Sequence, residues 1–124
     1  MIYEPSKEFR FDAAHTLNSS VEVEPSRRIH GHSYRAEVVV CGLPNPTTGM
    51  PIDLSLLDRS LEEERDGLDQ RLLDAINDLG PATMESLAAW IWRKVETVCP
   101  NLWRVTVRRD SDVGAYSFFG KEGA

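Results

Sequence analysis

The chain holds three histidines, and two of them, His30 and His32, flank a single glycine. Side chains on an extended strand alternate faces with a period of two, so His30 and His32 point the same way if this stretch is a strand. The third, His15, closes another alternating run. There Phe9, Phe11, Ala13 and His15 share one face while Glu8, Arg10, Asp12 and Ala14 share the other. If the two runs pair as an antiparallel hairpin, the end of the first lies beside the start of the second, and all three imidazoles converge. Three imidazoles with an open fourth position make a catalytic zinc arrangement, whereas a structural site takes four protein ligands. An all-imidazole shell leaves copper, nickel and iron open, with zinc the first choice. Any one of these histidines alone is more often a satisfied core residue. It is the joint use of every histidine in the chain that points to a metal.

The elements that must position these residues can be read along the chain. A strand is expected from about Ile2 to Ala14, then a long loop from Thr16 to Ile29 carrying Asn18, Ser19, Ser20, Pro25 and Ser26. A loop of that length in a small domain is more often functional than idle. His32 to Gly42 reads as a second strand, with Tyr34, Ala36, Val38 and Val40 on the histidine face. After the turn-rich stretch 42–49, Asp53 or Ser55 caps a helix with Leu54, Leu57 and Leu61 at helical spacing. That helix is expected to end in the charged stretch Glu62 to Asp66, stopped by Gly67. A short turn falls around Leu72 to Asn77. Thr83 caps a second helix whose apolar stripe is Met84, Leu87, Ala88, Ile91, Val95 and Val98, ending before Pro100. Leu102 to Asp110 alternates again, with Trp103, Val105 and Val107 on one face, and Gly114 to Phe119 is a short last strand. The order strand, strand, helix, helix, strand, strand predicts an α+β fold, an antiparallel sheet with its helices gathered on one face. The uncovered face calls for oligomerisation.

At 124 residues the chain is expected to be a single domain, residues 1–124, with an ordinary 41% hydrophobic and 27% charged composition. A formal charge of −6 argues against nucleic acid as the main partner, because such binding rests on neutralising phosphates. The basic pairs Arg27-Arg28 and Arg108-Arg109 could still meet an anionic substrate, or simply lie solvated on the surface. Cys41 and Cys99 form no C-x-x-C motif and read as small buried hydrophobes in a reducing compartment. No apolar leader and no run of about 18 apolar residues is present, so neither export nor a membrane partner is expected, and the protein reads as cytoplasmic.

Five motifs in order, Phe11-Asp-Ala-Ala-His15, His30-Gly-His-Ser-Tyr34, Gly49-Met-Pro-Ile-Asp53, Leu68-Asp69 and Thr83-Met-Glu85, resemble the 6-pyruvoyl-tetrahydropterin synthase / 6-carboxytetrahydropterin synthase family over nearly the whole chain. The resemblance implies a tunnelling fold (T-fold) whose subunits assemble into a ring-like homo-oligomer, usually a hexamer, with active sites between subunits. It implies Zn2+ held by His15, His30 and His32. It also implies a lyase acting on 7,8-dihydroneopterin triphosphate or a related reduced pterin, in a queuosine, folate or biopterin-like pathway.

The chain departs from the family pattern where the base should be. The family's cysteine falls at Ser26, a variant glutamate one residue on falls at Arg27, and its Leu-Asp-His motif becomes Leu68-Asp69-Gln70. Ser26, Asp69 and Gln70 therefore occupy the catalytic positions, two of them substituted, and a serine hydroxyl without a histidine partner is a poor base. Asp69 or Glu24 are then the candidates for proton transfer. The family receives the pterin's guanidine-like edge on a glutamate after the third strand. Strict register places Arg109 there, and a one-residue bulge places Asp110-Ser111 there; we take Asp110 as the anchor, with Arg109 and Glu85 also counted as substrate-binding. Arg109 in that place would imply a ligand other than a pterin. Beside the lyase stands a divergent paralogue that keeps zinc and pocket but binds a ligand or runs another zinc-assisted step. A ring-forming protein with purely structural histidines is the blandest alternative.

Overall fold

The computed structural model describes residues 2–16 and 29–120. Along them run β1 (Ser6–His15), β2 (His30–Val40), α1 (Leu54–Leu68), β3 (Arg71–Leu72), a 3-10 turn (Leu73–Ala75), α2 (Met84–Val95), β4 (Leu102–Arg109) and β5 (Tyr116–Phe118). The strands form one five-stranded sheet in the order β3-β1-β2-β4-β5. Strand β1 pairs antiparallel with β2 from Ser6↔Val39 to His15↔His30, and β2 pairs antiparallel with β4.

Two periodicities build the core. The even positions of β2 (Tyr34, Ala36, Val38, Val40) join Phe9, Phe11 and Ala13 of β1 with Val105 and Val107 of β4, all buried on one face. Leu57, Leu61 and Leu68 of α1 and Leu87, Ala88, Ile91 and Val95 of α2 close over that face in the same hydrophobic cluster. The opposite face is a polar ladder. Asp12 accepts from Ser33, Arg104 pairs with Glu37 at 3.2 Å, and Asp110 pairs with Arg10 and with Arg35 at 3.3 Å. No helix among the described residues is long and apolar enough to cross a membrane.

Several expected boundaries move, each for a local reason. Strand β1 starts at Ser6, since Pro5 has no amide hydrogen for the ladder; its carbonyl still accepts from Val40 N at 2.9 Å, and the isolated Tyr3↔Gly42 bridge lies beyond it. The sheet is mixed, because β3 adds to β1 in parallel through Ala13↔Arg71 and Ala14↔Leu72. Two residues are too few to leave a period-two signature in sequence. Helix α1 runs through Gly67 to Leu68, and a Cβ at Gly67 would stand 3.2 Å from the Trp90 ring, so this glycine admits α2 closely instead of ending the helix. Val98 lies beyond α2 and is exposed. Trp103 is exposed too: the β2/β4 register shifts between Val39 and Val40, leaving Trp103 as the extra residue turned out of the core. Cys99 is buried and Cys41 only half-buried, and neither forms a disulfide.

Sequence periodicity missed one buried charge. Glu64 of α1 is only 3% exposed and accepts a hydrogen bond from Ser60 Oγ at 2.7 Å. Burial pushes its carboxyl up to about 7, the Ser60 bond opposing this and Glu63 reinforcing it. The fold therefore favours the protonated acid, and that contribution, full below the unfolded carboxylate pKa, is lost as pH rises through about 7. Glu64→Gln is expected to gain on the order of 1–2 kcal/mol over the wild type at pH 8 and to lose that advantage at pH 4. Denaturant melts of both proteins at the two pH values test this, and a pH-independent difference would refute it.

Candidate metal centre

The β1/β2 register sets His15 opposite His30 and Ala13 opposite His32. Because His30 and His32 share a face with His15, their rings gather: His15 lies 4.5 Å from His30 and 4.9 Å from His32 between centroids, and His30 lies 5.1 Å from His32. The planes meet at 69°, 83° and 90°, so the rings turn edges toward a common point instead of stacking. One nitrogen from each lies within 4.8 Å of the others, a group able to hold a metal ion. Tyr34 floors the site, stacked on Phe11 at 4.9 Å, and burial pushes its phenol up to about 12.

The proton inventory favours metal binding. His15 is 3% exposed and its Nδ1 donates to the Ala82 carbonyl at 2.9 Å. A carbonyl only accepts, so Nδ1 carries the proton and the lone pair sits on Nε2. That Nε2 is buried with no hydrogen-bond partner among the described residues, an orphaned acceptor on a ring that groups with His30 and His32. A metal ligand needs this arrangement, with one nitrogen fixed by a backbone acceptor and the other free. Burial lowers the His15 pKa, and burial with the Arg109 guanidinium lowers that of His32 to about 4. Both imidazoles are therefore neutral at pH 7, the form that ligates.

Neighbouring elements hold this geometry. Ala82 immediately precedes Thr83, whose Oγ1 caps α2 by accepting from Ser86 N at 3.1 Å, so the carbonyl gripping His15 is fixed by a helix start. Asp74 accepts from the Thr16 amide at 2.9 Å and its hydroxyl at 2.6 Å, tying the residue after His15 to the 3-10 turn.

The other expected site residues scatter. Ser26, Glu24 and the Arg27-Arg28 pair lie outside the described residues. Asp69 caps the end of α1, accepts from the Asp12 amide at 2.9 Å and pairs with Arg65 at 3.2 Å. Gln70 holds a left-handed backbone (φ 61°) and its amide donates to Asp12 O at 2.7 Å. Its position lines an open depression with Asp12, Gly31, His32 and Ser33. Glu85 is exposed in the first turn of α2. The bulge invoked for Asp110 is absent: pairing stays in register through Tyr34↔Arg109, so Arg109 stands on the histidine face and Asp110 on the opposite one. Asp110 is occupied there by Arg10 and Arg35. Arg109 instead donates from Nη1 to His32 Nε2 at 3.2 Å, a contact with no sequence signature because 77 residues separate the two.

Comparison with known proteins places this geometry in context. A family model described as 6-pyruvoyl tetrahydropterin synthase matches residues 4–119. The chain is 37% identical over 107 residues to 6-carboxy-5,6,7,8-tetrahydropterin synthase of Synechocystis, covering 82% of this chain and 81% of that protein. It is 30% identical to human 6-pyruvoyl tetrahydrobiopterin synthase over 129 residues, covering 90% and 88% of the two chains. The solved structure of Caenorhabditis elegans 6-pyruvoyl tetrahydropterin synthase superposes with a TM-score of 0.83 at 25% identity, over 98% of this chain and 97% of that one.

The orphaned Nε2 of His15 makes a direct expectation. Titration of the apo protein with Zn2+ should saturate at about one ion per chain, and His15→Ala should weaken binding by more than about 100-fold in competition with a chromophoric chelator. Equal zinc affinity in the variant would show that the three rings do not act together.

Proposed function

The chain belongs to the 6-pyruvoyl tetrahydropterin synthase family, and on that premise we propose that it is a zinc-dependent lyase acting on 7,8-dihydroneopterin triphosphate or a related reduced pterin. The observation that carries this reading is the buried, unpartnered Nε2 of His15 converging with His30 and His32. These three residues would hold the zinc. Bound there, the ion supplies a Lewis acid that polarises side-chain oxygens of the substrate and eases removal of the adjacent proton.

The remaining work falls to the chain's own groups. Ser26, Asp69 and Gln70 stand at the positions of the family's proton-transfer machinery, with Asp69 or Glu24 as the carboxylate that takes a proton. Tyr34 closes the floor beneath the imidazoles, and its raised pKa keeps it a neutral phenol. Asp110, the expected ring anchor, faces away from the histidines and is engaged by Arg10 and Arg35, whereas Arg109 stands on the histidine face, a placement that weighs toward a ligand other than a pterin and so toward the second reading below. The family resemblance supports a ring-like homo-oligomer, a hexamer, working in the cytoplasm, with Glu85 at the helix start as a further substrate contact.

Zinc-loaded protein incubated with 7,8-dihydroneopterin triphosphate should release triphosphate, and aldehyde if the side chain is cleaved. No release with zinc stoichiometrically bound would overturn the lyase. One further observation favours this second reading, a paralogue that keeps metal and pocket for ligand binding: Asp69 is engaged by Arg65 and the Asp12 amide, and Gln70 stands where a histidine would partner it. Ser26→Cys combined with Gln70→His separates the two. A silent wild type that gains activity in the double variant supports the paralogue; an active wild type supports the lyase.

A further inference from the structure

We infer that the cleft between α1 and α2 around Glu64 binds a small organic cation, an amidinium, guanidinium or ammonium group carried on an apolar body. The site shares no residue with the histidine cluster.

The two helices and the turn after α2 leave a cavity of about 350 Å3, on whose lining Ser60, Glu64, Trp90 and Thr97 meet. Trp90 and Val98 give it an apolar wall, and Gly67 lets the indole lie against α1, where a Cβ would stand 3.2 Å from the ring. Glu64 is 3% exposed, so its carboxyl is built into the floor of the cleft and does not wave at the surface.

The side-chain donors on this lining are already committed. Ser60 Oγ donates to Glu64 Oε1 at 2.7 Å, Thr97 Oγ1 to the Lys94 carbonyl at 2.8 Å, and Trp90 Nε1 to Asp78 Oδ1 at 2.8 Å. Lys94, the cation of the lining, pairs with Asp78 Oδ2 at 2.7 Å, and Asp78 lies off the cavity wall. What remains is a surface of acceptors. Among the described residues, no hydrogen bond falls on Glu64 Oε2 and no ion pair on Glu63 or Glu64. A buried carboxylate without a cation is costly. The charged groups that face it are Glu63 of its own helix, which raises its pKa, and Lys94 of α2, which lowers it, and burial outweighs both.

A cationic ligand answers this shortage, since it brings donors to Oε2 and a charge that restores the ionised carboxyl. An anion would be repelled by the two glutamates, and a neutral amide would supply donors without the charge. Lys94 Nζ already stands 5.2 Å from the centre of the Trp90 ring, so the ligand's charge is directed to the carboxyl and its apolar body to the wall.

Benzamidine and its neutral isostere benzamide test this on the full-length protein, followed by NMR through the Trp90 indole resonance. Benzamidine should bind at about one molecule per chain with a Kd in roughly the millimolar range, and benzamide at least about tenfold more weakly. With the Glu64 carboxyl at about 7, benzamidine affinity should rise about tenfold from pH 6 to pH 8, a range over which the ligand stays cationic. Glu64→Gln should weaken benzamidine by about tenfold or more at pH 8 and abolish the pH dependence. If Glu64→Gln does not fold, the wild-type comparison decides alone, with equal affinity for the two ligands or a flat pH profile counting against the site. The inference is overturned if benzamidine leaves the Trp90 resonance unmoved at pH 8, or if Glu64→Gln binds it undiminished. Neither result bears on zinc binding or on the lyase.

Discussion

The structure turns on the antiparallel register between β1 and β2. Ten consecutive pairs, from Ser6↔Val39 to His15↔His30, place the last residue of one strand against the first of the next. A slip of one residue would send Phe9, Phe11 and Ala13 to the polar face and carry His15 away from its partners, because strand side chains alternate with a period of two. The hydrophobic face thus enforces the metal site: Tyr34, Ala36 and Val38 are fully buried only in the register that also gathers the histidines. Core packing and the convergence of three imidazoles are one constraint seen at two ends of a hairpin.

The helices convert that convergence into chemistry. The start of α2 presents the Ala82 carbonyl to His15 Nδ1, which selects the tautomer and leaves Nε2 for a metal. The Asp74–Thr16 contacts secure the chain where β1 ends. Burial lowers the pKa of both His15 and His32, and the Arg109 guanidinium of β4 adds to it at His32. The strand register thus sets the ring geometry, the segment before α2 sets the tautomer of His15, and burial with a charge from β4 favours the neutral rings.

Around the Leu68-Asp69-Gln70 stretch the side chains and backbone carry structural roles of their own. Asp69 acts as the C-cap of α1 and as acceptor for Asp12 and Arg65, while Gln70 takes the left-handed conformation that carries the chain from α1 into β3. A backbone of that hand is uncommon outside glycine and is sustained here by the bond from Gln70 N to Asp12 O. On the opposite side of the cluster Arg109 brings a positive charge where the resemblance suggested a carboxylate. The ligand shell, the Asp69–Gln70 turn and the Arg109 contact thus differ in how closely they follow the family pattern, and function resides in that combination more than in the fold.

Much of this was legible in the residues alone. Period-two alternation around His15 and around His30 and His32 pointed to both strands, their shared face and the convergence of the imidazoles, though the strands were expected over about Ile2–Ala14 and His32–Gly42 and run over Ser6–His15 and His30–Val40. Helical spacing with Asp53 and Thr83 as caps located both helices, and both side chains do cap. The remainder was not legible because it depends on contacts between distant segments. The two-residue β3, the passage of α1 through Gly67 beneath Trp90, and the bulge that turns out Trp103 leave no local periodicity. The choice between Arg109 and Asp110 hung on whether β4 bulged at its end, which only its pairing with Tyr34 decides. Sequence by itself determined which residues could ligate a metal, since ligand type and strand parity are local. Tertiary structure alone decided which nitrogen is free to do so and which charge stands beside it, since a carbonyl 67 residues away and a guanidinium 77 residues away set both.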